Sequence, residues 1–237
     1  MKSFYRFIIV STVLMGASTN IIIAQERART QFQEYSTGPG SFIQGIPVTK
    51  APLKGTVYLY ENYSPGILIT TDEEKVSDVN LRYNIQDQKI EMRKNNLDIQ
   101  LNSRLIDSFH ILNDSEAEFI NVFSLPVDQN HGLDGFMQIY GNADGQMLLK
   151  RWYLNIKKAN YNVALSTGTK YDEAIVKSEM FLVSDNQLIS FQGKNKEIKS
   201  NFPNKSKELI TFVKANKIKF KSNEDYILFF NYFSTLD

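Results

Sequence analysis

The chain has 237 residues, with 27 basic and 26 acidic side chains and a formal charge of +1, a balance that argues against a general nucleic-acid or polyanion binder. It contains no cysteine, which removes disulfides, thiolate chemistry and cysteine-ligated metals. Its 16 Phe and 12 Tyr suit a β-rich protein whose rings pack on a pleated surface.

The N-terminus reads as a cleavable secretory signal peptide over 1–24. Lys2 and Arg6 supply a basic start, and Phe7-Ile-Ile-Val10 and Val13-Leu-Met15 an apolar core. That core is shorter than the roughly 20 apolar residues of a membrane anchor. Cleavage is expected after Ala24, with Ala17 as the second position, and with no cysteine there is no lipid-attachment signal. Loss of Lys2 and Arg6 turns the net charge to −1. The expected location is the periplasm or the outer-membrane periphery, or the outside of the cell. The mature protein is not expected to be integral to a membrane.

Residues 25–54 hold Ser36-Thr-Gly-Pro-Gly40, Pro47 and Pro52 and show little periodicity. They read as an extended leader into a β-meander spanning 55–193. Thr56–Tyr60 and Gly66–Thr70 look like a first hairpin. The clearest signal follows: Val79, Leu81, Tyr83 and Ile85 alternate with Asn80, Arg82, Asn84 and Gln86. Period two predicts a strand with one buried and one wet face. Ile90 and Met92 alternate with Lys89, Glu91 and Arg93, then Leu97, Ile99 and Leu101 with Asp98, Gln100 and Asn102. Short strands joined by polar turns predict an antiparallel meander. Ser108–Leu112 and Glu116–Phe123 continue it. Phe136–Tyr140 and Gln146–Ile156 flank Asp144-Gly145, a strong hairpin-turn signal. Residues 157–177 read as loop, and Glu179–Val183 and Gln187–Phe191 as a last hairpin.

The tail, 194–237, changes character. Pro203 can open a helix whose stripe is Leu209, Ile210, Phe212 and Val213; Ser222 before Glu224 and Asp225 resembles a capping box. Tyr226, Ile227, Phe229, Phe230 and Phe233 recur at helical spacing. Strands followed by helices predict an α+β fold, an antiparallel meander curved or partly rolled into a barrel, with its apolar side covered by the C-terminal helices. A transmembrane barrel is not expected, because the non-core face carries charges such as Lys89, Glu91 and Arg93 where lipid needs apolar side chains.

The search for chemistry yields little. No G-x-S-x-G elbow, no Gly-rich phosphate cradle and no histidine pair at metal-ligand spacing occurs. Hence no catalytic or cofactor-binding residue is assigned. Asp128, Asn130 and Asp134 alternate as in calcium loops, but Gly132 stands at the third such position and no bidentate Glu follows. Asp72-Glu-Glu74 is the densest acidic run and reads as a solvated turn. No carboxylate is marked as buried or paired. From Lys194 to Lys221 there are nine lysines and two acids. Among them Lys205, Lys207, Lys214 and Lys217 are candidates for contact with an anionic surface or partner.

Several stretches resemble a family of exported Bacteroidota proteins of unassigned function. They are Gly55-Thr-Val-Tyr-Leu-Tyr60, Leu81-Arg-Tyr-Asn-Ile85 with Ile90-Glu-Met92, Leu148-Leu-Lys-Arg-Trp-Tyr153, and the Lys-rich tail through Tyr226-Ile-Leu-Phe-Phe-Asn-Tyr232. The resemblance implies an exported meander with a helical end and carries no catalytic residue. The leading functional expectation is a non-enzymatic envelope protein that binds a partner or ligand. The alternatives are a glycan- or peptide-acting hydrolase using paired carboxylates, and an adaptor subunit of an outer-membrane complex.

Overall fold

A computed structural model describes residues 33–38, 41–47, 54–113, 116–160, 162, 165–169 and 171–236. The signal peptide and its cleavage positions lie outside the described residues. The fold is α+β: an open antiparallel sheet packed against three C-terminal helices.

The strands are β1 (Gln33–Gly38), β2 (Ser41–Pro47), β3 (Ser64–Thr70), β4 (Lys75–Asn84), β5 (Lys89–Lys94), β6 (Leu97–Leu101), β7 (Ile106–Ile111), β8 (Ala117–Asn121), β9 (Phe136–Ala143), β10 (Gln146–Lys157), β11 (Glu173–Ser184) and β12 (Gln187–Ser190). Their order across the sheet is β1-β2-β6-β5-β4-β3-β7-β8-β9-β10-β11-β12. Three hairpins turn on residue pairs with positive φ at both positions: Asn95-Asn96, Asp144-Gly145 and Asp185-Asn186. Asn, Asp and Gly tolerate that backbone, whose twist matches the strands it joins.

One connection determines the shape. β6 and β7 are separated in the sheet by β5, β4 and β3, four spacings of about 4.8 Å if the sheet were flat. Only Asn102 to Leu105 join them, and Ser103–Leu105 is a single 3-10 turn rising about 2 Å per residue. The five strands must therefore roll until β6 approaches β7. The Asn121 side-chain amide ties the closure by donating to Ser103 O and Ile106 O, both at 2.8 Å.

Inside the roll lie Leu81, Tyr83, Ile90, Met92, Phe109 and Phe119, all buried. Phe109 and Phe119 face each other across β7 and β8 and stack with centroids 4.5 Å apart. Tyr83 meets both rings by its edge or at a tilt. Its hydroxyl accepts from Phe136 N at 3.2 Å and donates to Gln88 Oε1 at 2.6 Å, so this polar atom is satisfied inside an aromatic core.

The helices are α1 (Asn195–Asn201), α2 (Ser206–Ala215) and α3 (Asn223–Phe233). Ser222 Oγ accepts from Asp225 N at 3.4 Å and caps α3. Leu148, Leu182, Phe191, Leu209, Phe229 and Phe230 form the core between helices and sheet. At Gly141 on β9 a methyl group would overlap the Phe230 ring; glycine lets α3 lie down on the strand.

Some boundaries differ from the sequence reading. The leader contains two strands, β1 and β2, and β2 joins the sheet beside β6. Gly45 and Pro47 interrupt the alternation that would have marked them. The 56–60/66–70 hairpin does not form. β3 pairs with β4 and β7, and only Tyr58 bridges, to Asn84. β11 starts at Glu173, inside the span read as loop, because β10 extends to Lys157 and supplies partners from Glu173 to Val183. Helix α1 also went unforeseen: its seven residues bury one side chain, Ile198, too few for a visible stripe.

Candidate functional site

Two polar clusters stand out, one under the strap that leads into β3 and one at the seam between sheet and helices. The strap is the segment 54–63. Lys54 pairs with the start of β11. Leu59 N donates to Tyr83 O and Ile85 N to Val57 O, so the strap occupies the edge of β4 where β3 has not yet begun. The outward face of β4 and β5 is thereby covered around Arg82, Asn84 and Glu91. Register sets Arg82 opposite Glu91 and Arg93 opposite Asp98.

Glu91 is fully buried. The Arg82 Nη2 donates to its Oε2 at 2.6 Å, and the Tyr58 hydroxyl to its Oε1 at 3.3 Å. The Arg82 guanidinium lies 3.6 Å from the Tyr58 ring centroid and 4.3 Å from that of Tyr63. Its Nη1 donates to Glu61 O. Arg93 grips Asp98 with two bonds, 2.7 and 3.1 Å, and those bonds hold the Asp98 carboxyl below the usual range. Nothing in the sequence marks these two carboxylates as buried or paired. Alternation placed Glu91 on a wet face, and the strap then dried that face. Both carboxylates are committed to arginines, so the cluster reads as a latch that fastens the strap.

Burial raises the pKa of several phenols: Tyr58, Tyr63, Tyr83 and Tyr226 are pushed up, and Tyr140 to about 12. In the unfolded chain these groups lose their protons near pH 10, where the folded chain keeps them. The folded state then binds more protons, so stability falls as pH rises above about 10. Urea unfolding at a series of alkaline pH values is expected to show that loss; a flat profile would contradict it.

The second cluster centres on Lys150, in the middle of β10 and 5% exposed. Its Nζ donates to Asn223 Oδ1 at 2.6 Å, lies 3.9 Å from the Trp152 ring centroid and 5.6 Å from that of Tyr140. No carboxylate forms an ion pair with it among the described residues. Burial pulls its pKa below the ordinary lysine value, against the pull of Glu224. An unpaired ammonium taken out of water costs several kcal/mol, of which a cation–π contact returns about 2.

The sequence builds this spot from three elements. Tyr140 is the extra residue of a bulge: Leu148 faces Gly141 and Leu149 faces Ile139, which leaves Tyr140 without a partner. Bulges re-aim side chains in this way. Gln138, opposite Lys150, accepts from the Trp152 indole at 2.8 Å. Asn223 is the first residue of α3. Tyr60, on the strap, is close enough to Tyr140 to affect its ionisation. Tyr140, Trp152 and Asn223 are half-buried around the buried amine. Sequence reading passed Lys150 over because it follows Leu148-Leu149 in a strand with charges on both sides; its only signal is a cation in phase with Leu148, Trp152 and Leu154.

The residues singled out from sequence lie elsewhere. Asp128 N donates to Asn186 O. Asp134 is mostly exposed, with the Arg151 guanidinium 3.9 Å away, so a cation already stands beside one of the three proposed calcium donors. The Asn130 side chain lies outside the described residues. Among the described residues no three His, Asp or Glu converge on one point. Lys207, Lys214 and Lys217 are exposed on α2 and the turn after it. Lys205 is engaged: it donates to Leu236 O at 2.6 Å and pairs with Asp144 at 3.1 Å, pinning the C-terminal end to the β9–β10 turn. His110 sits across from Glu118 at 3.6 Å. No helix among the described residues is long and apolar enough to cross a membrane.

Fold and site together define a class: a rolled, open antiparallel sheet backed by three helices, with a buried lysine at the seam. No family model, curated protein or solved structure matches the chain.

Proposed function

We propose that this chain is an exported envelope protein that acts by binding and not by catalysis, and that the surroundings of the Lys150 amine are its ligand site. One observation carries the reading. An ammonium is held 5% exposed, with a neutral acceptor and two aromatic rings around it and no carboxylate paired to it. Buried charges in a settled core are paired; one that is not suits a place where the partner arrives from outside. The N-terminal pattern of a basic start and a short apolar core supports export, and the resemblance to exported Bacteroidota proteins points the same way.

The hydrolase alternative has less support. Its natural acids, Glu91 and Asp98, each face a guanidinium, and Glu91 is sealed beneath two tyrosines. The adaptor reading keeps the exposed Lys207, Lys214 and Lys217 as its surface.

The test is to isolate the protein from the envelope of producing cells and identify by mass spectrometry what heat releases from it. The reading expects a chain beginning at Gln25 that carries a near-stoichiometric small molecule, absent from a Lys150→Met variant prepared in parallel. Recovery from the cytoplasm, or protein that is equally empty in both forms, would defeat it.

A further inference from the structure

We infer that the Lys150 site binds the carboxylate group of a small monoanion, with Lys150 neutralising the charge and the Tyr140 hydroxyl as a hydrogen-bond donor. The inference rests on the binding function proposed above and specifies the chemistry of its ligand.

Three features select the anion. First, Lys150 offers three N–H donors, of which Asn223 Oδ1 takes one; the rings of Trp152 and Tyr140 meet it as π faces and accept charge density only. Second, the Tyr140 phenol is in the donor state. It holds its proton up to about pH 12, and no hydrogen bond to its hydroxyl occurs among the described residues. Third, the Lys150 ammonium lies at Asn223, the first residue of α3, where the helix dipole adds a partial positive charge.

Other features set the limits of the site. It holds one full cation, no arginine fork, and Glu224 close enough to act on both Lys150 and Tyr140. A fork matches phosphate with two parallel bonds, and the Glu224 carboxylate repels a second negative charge. A single monovalent carboxylate is therefore favoured over inorganic phosphate. Around that anchor the half-buried edges of Tyr140 and Trp152 provide apolar contact for a short carbon chain. Aromatic and aliphatic surface with a few polar anchors is the usual make-up of a small-molecule site.

Trp152 is the only tryptophan in the chain, and its ring touches the Lys150 ammonium, so its emission reports on the site. The full chain would be titrated at low ionic strength with sodium acetate and sodium propionate. Methyl acetate, sodium chloride and sodium phosphate serve as comparisons. The expected result is a saturable change with the two carboxylates, propionate the tighter, none with the ester or chloride, and phosphate about tenfold weaker. Tyr140→Phe keeps the ring and removes the donor, and is expected to weaken acetate by about tenfold. Lys150→Met is expected to abolish the response while the circular dichroism spectrum is kept. Equal responses to acetate and phosphate would overturn the carboxylate assignment and leave an anion site standing. Equal responses to acetate and methyl acetate, or none to any anion, would overturn both this inference and the proposed function. Should Lys150→Met fail to fold, an undiminished response in Tyr140→Phe would still overturn the role given to the phenol.

Discussion

Replacing Glu91 with glutamine is expected to destabilise the protein by about 3–5 kcal/mol, the cost of leaving a buried charge without its partner. Arg82 is held by two tyrosine rings, by Glu61 O and by Glu91. With the carboxylate gone, the guanidinium stays beneath the strap and keeps its desolvation cost, offset only by the more distant Asp98 carboxylate at 3.8 Å. The rings of Tyr58 and Tyr63 then cover a cation that has lost its close partner, and the strap is expected to loosen first. The double change Arg82→Met with Glu91→Leu removes both charges and fills a similar volume. Its stability is expected to lie near that of the wild type, since well-packed apolar side chains commonly replace a buried pair without loss. Urea unfolding of the single and double variants checks this. A Glu91→Gln protein within 1 kcal/mol of the wild type, a margin typical of exposed pairs, would contradict the latch.

The second large effect is expected at Phe229. Its ring is fully buried and lies 5.3–5.7 Å from those of Phe220, Phe202 and Phe191. One side chain thus joins α3, the turn before it, the end of α1 and the segment after β12. Phe229→Ala removes the shared ring from these three partners and leaves a cavity, at a cost of about 3–5 kcal/mol. The change also has a functional signature. Asn223 rides on α3, so a loosened helix withdraws the acceptor from Lys150. Acetate binding is therefore expected to weaken in Phe229→Ala and to persist in the Arg82→Met, Glu91→Leu double variant, whose lesion lies on the outer face of β4 and β5. Thermal unfolding gives the first readout and Trp152 emission the second. Equal binding losses in both proteins would mean that the site depends on the whole fold and not on α3.

The meander and the helical end were legible because their signals are local. Val79 to Ile85 alternates with period two, and the same rule holds through Ile90, Met92, Ile99 and Leu101. Ser222 announced α3, and Asp144-Gly145 its hairpin. What escaped came from contacts distant in sequence. Alternation assigns Glu91 to the face opposite Ile90 and Met92, and correctly so; only the strap, about 30 residues earlier, decides whether that face is wet. Lys150 is a similar case. Its strand was evident, but the residues that surround its amine also come from a bulge in β9 and from the start of α3. No spacing rule joins Tyr140, Lys150 and Asn223. The lysine-rich tail shows the reverse: a strong signal in composition that the fold divides, with Lys205 spent on Asp144 and Leu236 O while Lys207, Lys214 and Lys217 remain at the surface.

The site at Lys150 is tested most directly by the nitrogen–proton correlation spectrum of the full chain, in which the only tryptophan gives a single indole resonance. Addition of sodium acetate is expected to move that resonance along a saturating curve, in step with the amides of Gln138, Tyr140 and Asn223, while methyl acetate leaves all of them in place. An indole resonance unmoved by acetate, or moved equally by the ester, would contradict the assignment of Lys150 as the anchor of a carboxylate.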